Sequence, residues 1–124
     1  MITRHVPCLA AVSAVLLATG VAAQDTPRPE PSLSMEQRTA LRCSAAFAIV
    51  STLQARGEAT EYPALGERGR EFFVRSAARI MDEAGLTRAD LGAAMQGEAL
   101  ALSTDGALER TMPACLLLLD ASGV

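Results

Sequence analysis

MPACLLLLD, residues 112–120, is the stretch on which the reading of the fold turns. A proline, a cysteine and four successive leucines admit three readings: a membrane anchor, a redox site, or the last turns of a core. The leucines exclude the first, because four helical residues rise only about 6 Å and a bilayer needs about 20 apolar residues in a row. Four leucines in succession cover every side of a helix, so this turn is expected to pack on most sides. Leu117 and Leu118 are the members that could face outward, as the apolar patch of a partner or homodimer surface.

Cys115 draws its meaning from the other end of the chain. MITRHVPCLAAVSAVLLATGVAAQD begins with basic Arg4 and His5, continues as an apolar run over residues 8–19, and ends in small Val21, Ala22 and Ala23. That is the layout of a secretory signal peptide cleaved after Ala23; retention as an N-terminal anchor is the alternative. Cys8 precedes most of the apolar run, where no lipidated N-terminus could be made. Export to the periplasm leaves two of the three cysteines, Cys43 and Cys115. An even cysteine count in an oxidising compartment implies a disulfide, and two cysteines allow one connectivity.

Removal of residues 1–23 also takes the only His and Arg4. Every basic residue is Arg, so ten of the eleven remain against fourteen acids, a net charge of about −4. A mildly acidic chain lacks the basic footprint that nucleic acid requires and the polybasic segment that binds anionic membranes. No membrane insertion is expected once the signal is cleaved.

Residues 24–33 form a Pro-rich lead, with Pro27, Pro29 and Pro31 at alternating positions. Such a run cannot continue a helix and is biased toward extended chain. Residues 34–120 read as one helical domain, with 121–124 as a short tail. Ser34 and Gln37 make a capping box, and Cys43, Ala46, Phe47, Val50 and Leu53 then recur at helical spacing until Gly57. Pro63 suits the first turn of a second helix running to Ala84. Its apolar face carries Leu65, Gly69, Phe72, Phe73, Ala77 and Ile80. Arg68, Glu71, Arg75 and Arg79 lie on its charged side, with Glu71–Arg75 and Arg79–Glu83 at ion-pair spacing. This charged side reads most simply as a solvated face; its alternative role is a recognition surface.

Gly85 stops that helix, and Leu86 can make the contact of a Schellman cap. Thr87 and Asp90 open a third helix bearing Leu91, Ala94, Met95, Ala99 and Leu102. Gly92 and Gly97 weaken it, or let a neighbouring helix come close. Thr104 or Asp105 caps a fourth helix, which Pro113 should kink or restart. No stretch alternates as a strand does. The expected fold is all-α, a small four-helix up-down bundle. In that topology the first and last helices are antiparallel, which brings Cys43 to Cys115. The loop so closed, about 70 residues, is worth about 4 kcal/mol at most. A redox role lacks a C-x-x-C pair and any nearby Lys or His. Two cysteines without His are half a zinc site.

The mature chain has no His, Lys or Trp, and Tyr62 is its one Tyr. Ser-His-Asp and Cys-His constellations are excluded. No phosphate loop, dinucleotide fingerprint or zinc-protease motif occurs, and no cofactor is expected. Glu58 with Glu61, and Asp82 with Glu83, pair carboxylates on loops or charged faces, where solvated charge is the simpler reading.

LRCSAAFAIV (41–50), YPALGERGREFFVRSAARIMDEAGL (62–86) and MPACLLLLDASG (112–123) resemble segments of small exported proteins of sphingomonad-type alphaproteobacteria. The resemblance implies the exported, two-cysteine helical layout and transfers no activity. The layout is also similar, more distantly, to periplasmic acid chaperones of the HdeA type, small helical proteins with one disulfide. Here the Cys–Cys span is longer and the lysine-rich tail of that family is absent. The sequence thus points to a periplasmic, non-enzymatic binding or accessory protein, with an acid- or stress-responsive chaperone as the alternative.

Overall fold

The computed structural model describes residues 32–124. The expected signal peptide, residues 1–23, and most of the Pro-rich lead lie outside them. Four helices follow in order: α1 (Met35–Gln54), α2 (Gly66–Ala84), α3 (Arg88–Leu102) and α4 (Ala107–Ala121). Among the described residues there is no strand.

Both expected capping boxes form. The Gln37 N–H donates to Ser34 Oγ at 3.1 Å while the Ser34 N–H donates to Gln37 Oε1 at 2.9 Å. Thr87 and Asp90 repeat the exchange at 3.1 and 2.9 Å. Gly85 closes α2 in the left-handed region at φ 65°, and Leu86 turns back into the core. Caps of this kind satisfy the backbone groups that a helix end leaves open.

Three boundaries depart from the sequence reading. α2 starts at Gly66 rather than Pro63. The cause is Gln54, whose Nε2 donates to the carbonyls of Tyr62 at 3.2 Å and Pro63 at 2.9 Å, with a longer bond to Ala59. Its Oε1 accepts from the Leu65 N–H at 3.1 Å. One side-chain amide thus holds the loop against the end of α1 and delays the next helix. α4 is capped by Gly106, at φ 68°, and not by Thr104 or Asp105. Thr104 Oγ1 is turned back to the Ala101 carbonyl, and the Asp105 carbonyl accepts from Arg110. Finally, α4 does not restart at Pro113 but runs through it as one helix. Pro113 and Glu109 are both exposed, so water can serve the carbonyl that the proline leaves without its helical donor. The C-terminal tail is docked: Val124 packs on the core, and its carbonyl accepts from Arg68 Nε at 3.0 Å.

The helices alternate in direction as an up-down bundle does. Gln37 meets Glu83, and Phe47 meets Gly69, so α1 and α2 are antiparallel. Cys43 joins Cys115, and Thr39 shares a groove with Leu118, so α4 is also antiparallel to α1. α1 is the centre. It packs extensively on α2 and α3 and is bonded to α4, while the outer helices barely touch one another. Residues 43–47 are buried in unbroken succession, which a helix with one apolar face does not show. Ser44, the buried polar residue among them, donates to the Ala40 carbonyl at 2.8 Å.

Gly69 sets the α1–α2 approach. A Cβ there would lie 2.9 Å from Phe47 Cβ, a backbone-proximal atom that cannot swing away. The closeness lets Phe47 meet Phe72 edge to face, with ring centroids 5.4 Å apart. Gly92 and Gly97 face open space, so of their two readings the close approach of a neighbouring helix does not hold.

Urea denaturation of four variants checks this packing. Gly69→Ala should destabilise by about 1–2 kcal/mol, overpacking outweighing the gain in helix propensity. Gly92→Ala and Gly97→Ala should each stabilise by up to about 1 kcal/mol. Gln54→Ala should cost about 2–3 kcal/mol, because the Leu65 N–H and the loop carbonyls lose their partner together.

Candidate functional site

The Cys43–Cys115 bond is made, with S–S 2.06 Å and Cα atoms 5.1 Å apart. Each cysteine is only 1% exposed and belongs to the cluster of Phe47, Val50, Leu102, Met112 and Leu119. Thiol exchange needs an attacking thiolate to reach a sulfur, and this one is sealed inside the core. The leucine run divides as a helix must: Leu119 is buried, Leu116 and Leu118 are half-buried, and Leu117 is 73% exposed.

The charged side of α2 is largely engaged within the molecule. Arg68 Nη2 lies 3.0 Å from Asp120 Oδ1, which together with its bond to Val124 ties α2 to the end of α4. Glu71 and Arg75 pair along the helix at 2.8 Å, as their spacing implies. Arg79 does not turn to Glu83. It lies 3.6 Å from Glu36 on α1, and Glu83 accepts instead from Gln37 Nε2 at 3.1 Å. Both partners thus brace α2 against α1. Arg75, Arg79 and Leu118 are brought to one groove of about 750 Å³, between the start of α1, α2 and the end of α4, beside exposed Met35. Leu117 does not line it.

A second and more apolar feature lies where α2 and α3 straddle α1. Those two helices scarcely touch, and a trough opens between them that α1 floors along two of its three lobes. It has three lobes. One, of about 670 Å³, lies between α2 and α3 and is lined by Phe73, Val74, Ala77, Met81 and Leu91. Another, of about 410 Å³, lies against α1 and the start of α2 at Ser51, Leu65 and Gly66. The third, of about 440 Å³, lies between α1 and α3 at Ala45, Ile49, Leu53 and Ala99. Met95 lines all three lobes, Phe73 joins the first two, and Ala48 joins the last two. Exposed Leu100 extends the strip beyond Ile49 and Ala99.

Periodicity alone did not reveal this surface, because it assigned α1 a single apolar face. A different signal was present. From Leu41 to Gln54 the only charged residue is Arg42, and it is committed to Glu98 of α3 at 2.8 Å. A helix with no solvated charged face has neighbours on most sides.

The three arginines Arg56, Arg70 and Arg88 line the trough, one in each lobe, and all are exposed. Away from it, Tyr62 packs on the core in the α1–α2 loop. Burial, aided by the Glu61 and Glu109 carboxylates, raises its phenol above the ordinary value. It stays neutral at physiological pH, and the stability it contributes is lost only as pH climbs past the unfolded value of about 10.

No family model matches the chain, and no curated protein or solved structure matches it.

The bond closes 72 residues of sequence separation. Replacing both cysteines by Ser should therefore lower unfolding free energy by up to about 4 kcal/mol in urea titrations. In the native protein neither sulfur should be alkylated until the chain is both reduced and unfolded.

Proposed function

We propose that the protein is an exported, non-catalytic binding module of the periplasm, and that it holds a protein partner in the trough floored by α1. The observation that carries this is the continuity of apolar lining from Phe73 through Met95 and Ala48 to Ile49, left uncovered by the helices of the described residues. Apolar surface of that extent on a small domain marks a place of association. Export is supported by the signal layout of residues 1–23 and by a disulfide of the kind that persists in oxidising compartments. Among the described residues no helix is long and apolar enough to cross a membrane. The absence of His and Lys after residue 23 supports a role without catalysis. A photo-cross-linking residue placed at Ala48 should give a discrete adduct in the periplasm, and one at exposed Arg38 should not. Equal labelling from both positions would refute the proposal.

A second reading is an acid-responsive chaperone. Three ion pairs join different helices: Arg42–Glu98, Arg68–Asp120 and Arg79–Glu36. On this reading acid weakens these cross-links, while the disulfide keeps α1 and α4 together. Exposed pairs contribute little singly, so the loosening is expected in the outer helices. On this reading, dye binding and suppression of client aggregation both rise near pH 3; global unfolding there without client protection removes it.

A further inference from the structure

We infer that the occupant of the trough is an amphipathic helix whose apolar stripe is flanked by acidic residues; this rests on the binding-module reading and names the partner's chemistry. Among the described residues, Arg38, Arg42, Arg68, Arg75, Arg79 and Arg110 each have a hydrogen-bond or ion-pair partner. The side chains of Arg56, Arg70 and Arg88 have none, and these three are the arginines that line the trough.

The chain as a whole carries a formal charge of −3. Unpaired cations gathered around one apolar surface of an acidic chain are therefore not a reflection of its composition. Asp82 is the one carboxylate on the lining, in the same lobe as Arg88. The cations are spread along the trough. Arg56 follows the end of α1, Arg70 lies in the first turns of α2, and Arg88 opens α3 at the opposite end.

From Gly66 to Asp82 the wall formed by α2 is about 24 Å long at the rise of an α-helix. That length suits a straight helical segment of about 16 residues seated along it. The floor is built for a rod of this width. Ala45 and Ala48 present only methyl groups, and Ser51 a short hydroxyl, where a longer side chain would fill the channel. A strand would find no open sheet edge to pair with among the described residues. Carboxylates at the edges of an apolar helical stripe would meet Arg56, Arg70 and Arg88 without disturbing any pair the fold already uses. Arginine forks are well matched to them.

The test uses the purified protein with its N-terminus defined by intact mass. Two synthetic amphipathic peptides of about 16 residues share one Leu/Ala stripe; one has Glu and the other Lys on both flanks. Isothermal titration at low salt should show the Glu-flanked peptide binding about tenfold more tightly, the sum of three exposed charge contacts. The preference should shrink as salt screens it. The triple variant Arg56→Gln, Arg70→Gln, Arg88→Gln should bind the two peptides alike. Ala48→Arg, at an exposed helical position that leaves the fold intact by circular dichroism, should lose both. Equal affinity of the unaltered protein for the two peptides, or preference for the Lys-flanked one, overturns the charge inference and leaves the binding reading standing. Binding of neither overturns both. Self-association abolished by Ala48→Arg in the absence of peptide would overturn the inference in favour of a second copy of this chain.

Discussion

α1 is gripped from several sides, and the rest of the molecule depends on that grip. Five consecutive buried residues, Cys43 to Phe47, point in every direction around its axis. Each direction meets a different support. Cys43 is bonded to α4, Phe47 sits against Gly69 and Phe72 of α2, and Leu41 packs into the cluster that includes Leu91 of α3. Gln54 adds a fourth hold at the end of the helix by fixing the loop that launches α2. A domain this small buries a modest share of its surface, so a core arranged around one central helix makes good use of few residues. The disulfide then limits the entropy that the unfolded chain can recover.

The same arrangement creates the trough. Helices packed on opposite flanks of a central one are too far apart to pack on each other, so a face of α1 stays open between α2 and α3. The chain has kept that face short and apolar at exposed Ala48, where solvent would have tolerated a charged residue, and beside it at buried Ala45. The neighbouring Ser44 is satisfied by its own helix through Ala40. Arg79 and Arg68 serve the scaffold by bracing α2 to α1 and to the end of α4, whereas the unpaired arginines face the trough. Scaffold and candidate site thus divide the arginines between them.

Much of this was legible in the sequence, and the reasons are local. Ser34–Gln37 and Thr87–Asp90 announced their helices because a capping box is a short-range exchange of two hydrogen bonds. Gly85 did the same for the end of α2, and the pairing of Cys43 with Cys115 followed from count and topology. What escaped depended on contacts distant in sequence. Gln54 moved the start of α2 by bonding residues eight to eleven positions ahead. Arg79 and Glu83, four apart on one helix, were drawn to Glu36 and Gln37 on another. Gly92 and Gly97 could be read as weak points or as contact points, whereas Gly69 is where the helices meet closely; only the path of the neighbouring helix separates these cases. The trough was hidden because hydrophobic periodicity asks which face is apolar, and α1 has no charged face to contrast with it.

The central claim is that the open face of α1 is the binding surface, and methionine methyl spectra test it most directly. With methionine methyl groups carbon-13 labelled, Met95 and Met81 report on the trough, Met35 on the groove between α1, α2 and α4, and Met112 on the sealed core. On addition of the Glu-flanked helical peptide, the Met95 and Met81 signals should shift while Met35 and Met112 stay in place. A shift of Met35 alone, with Met95 unmoved, would place binding in the other groove and contradict the account.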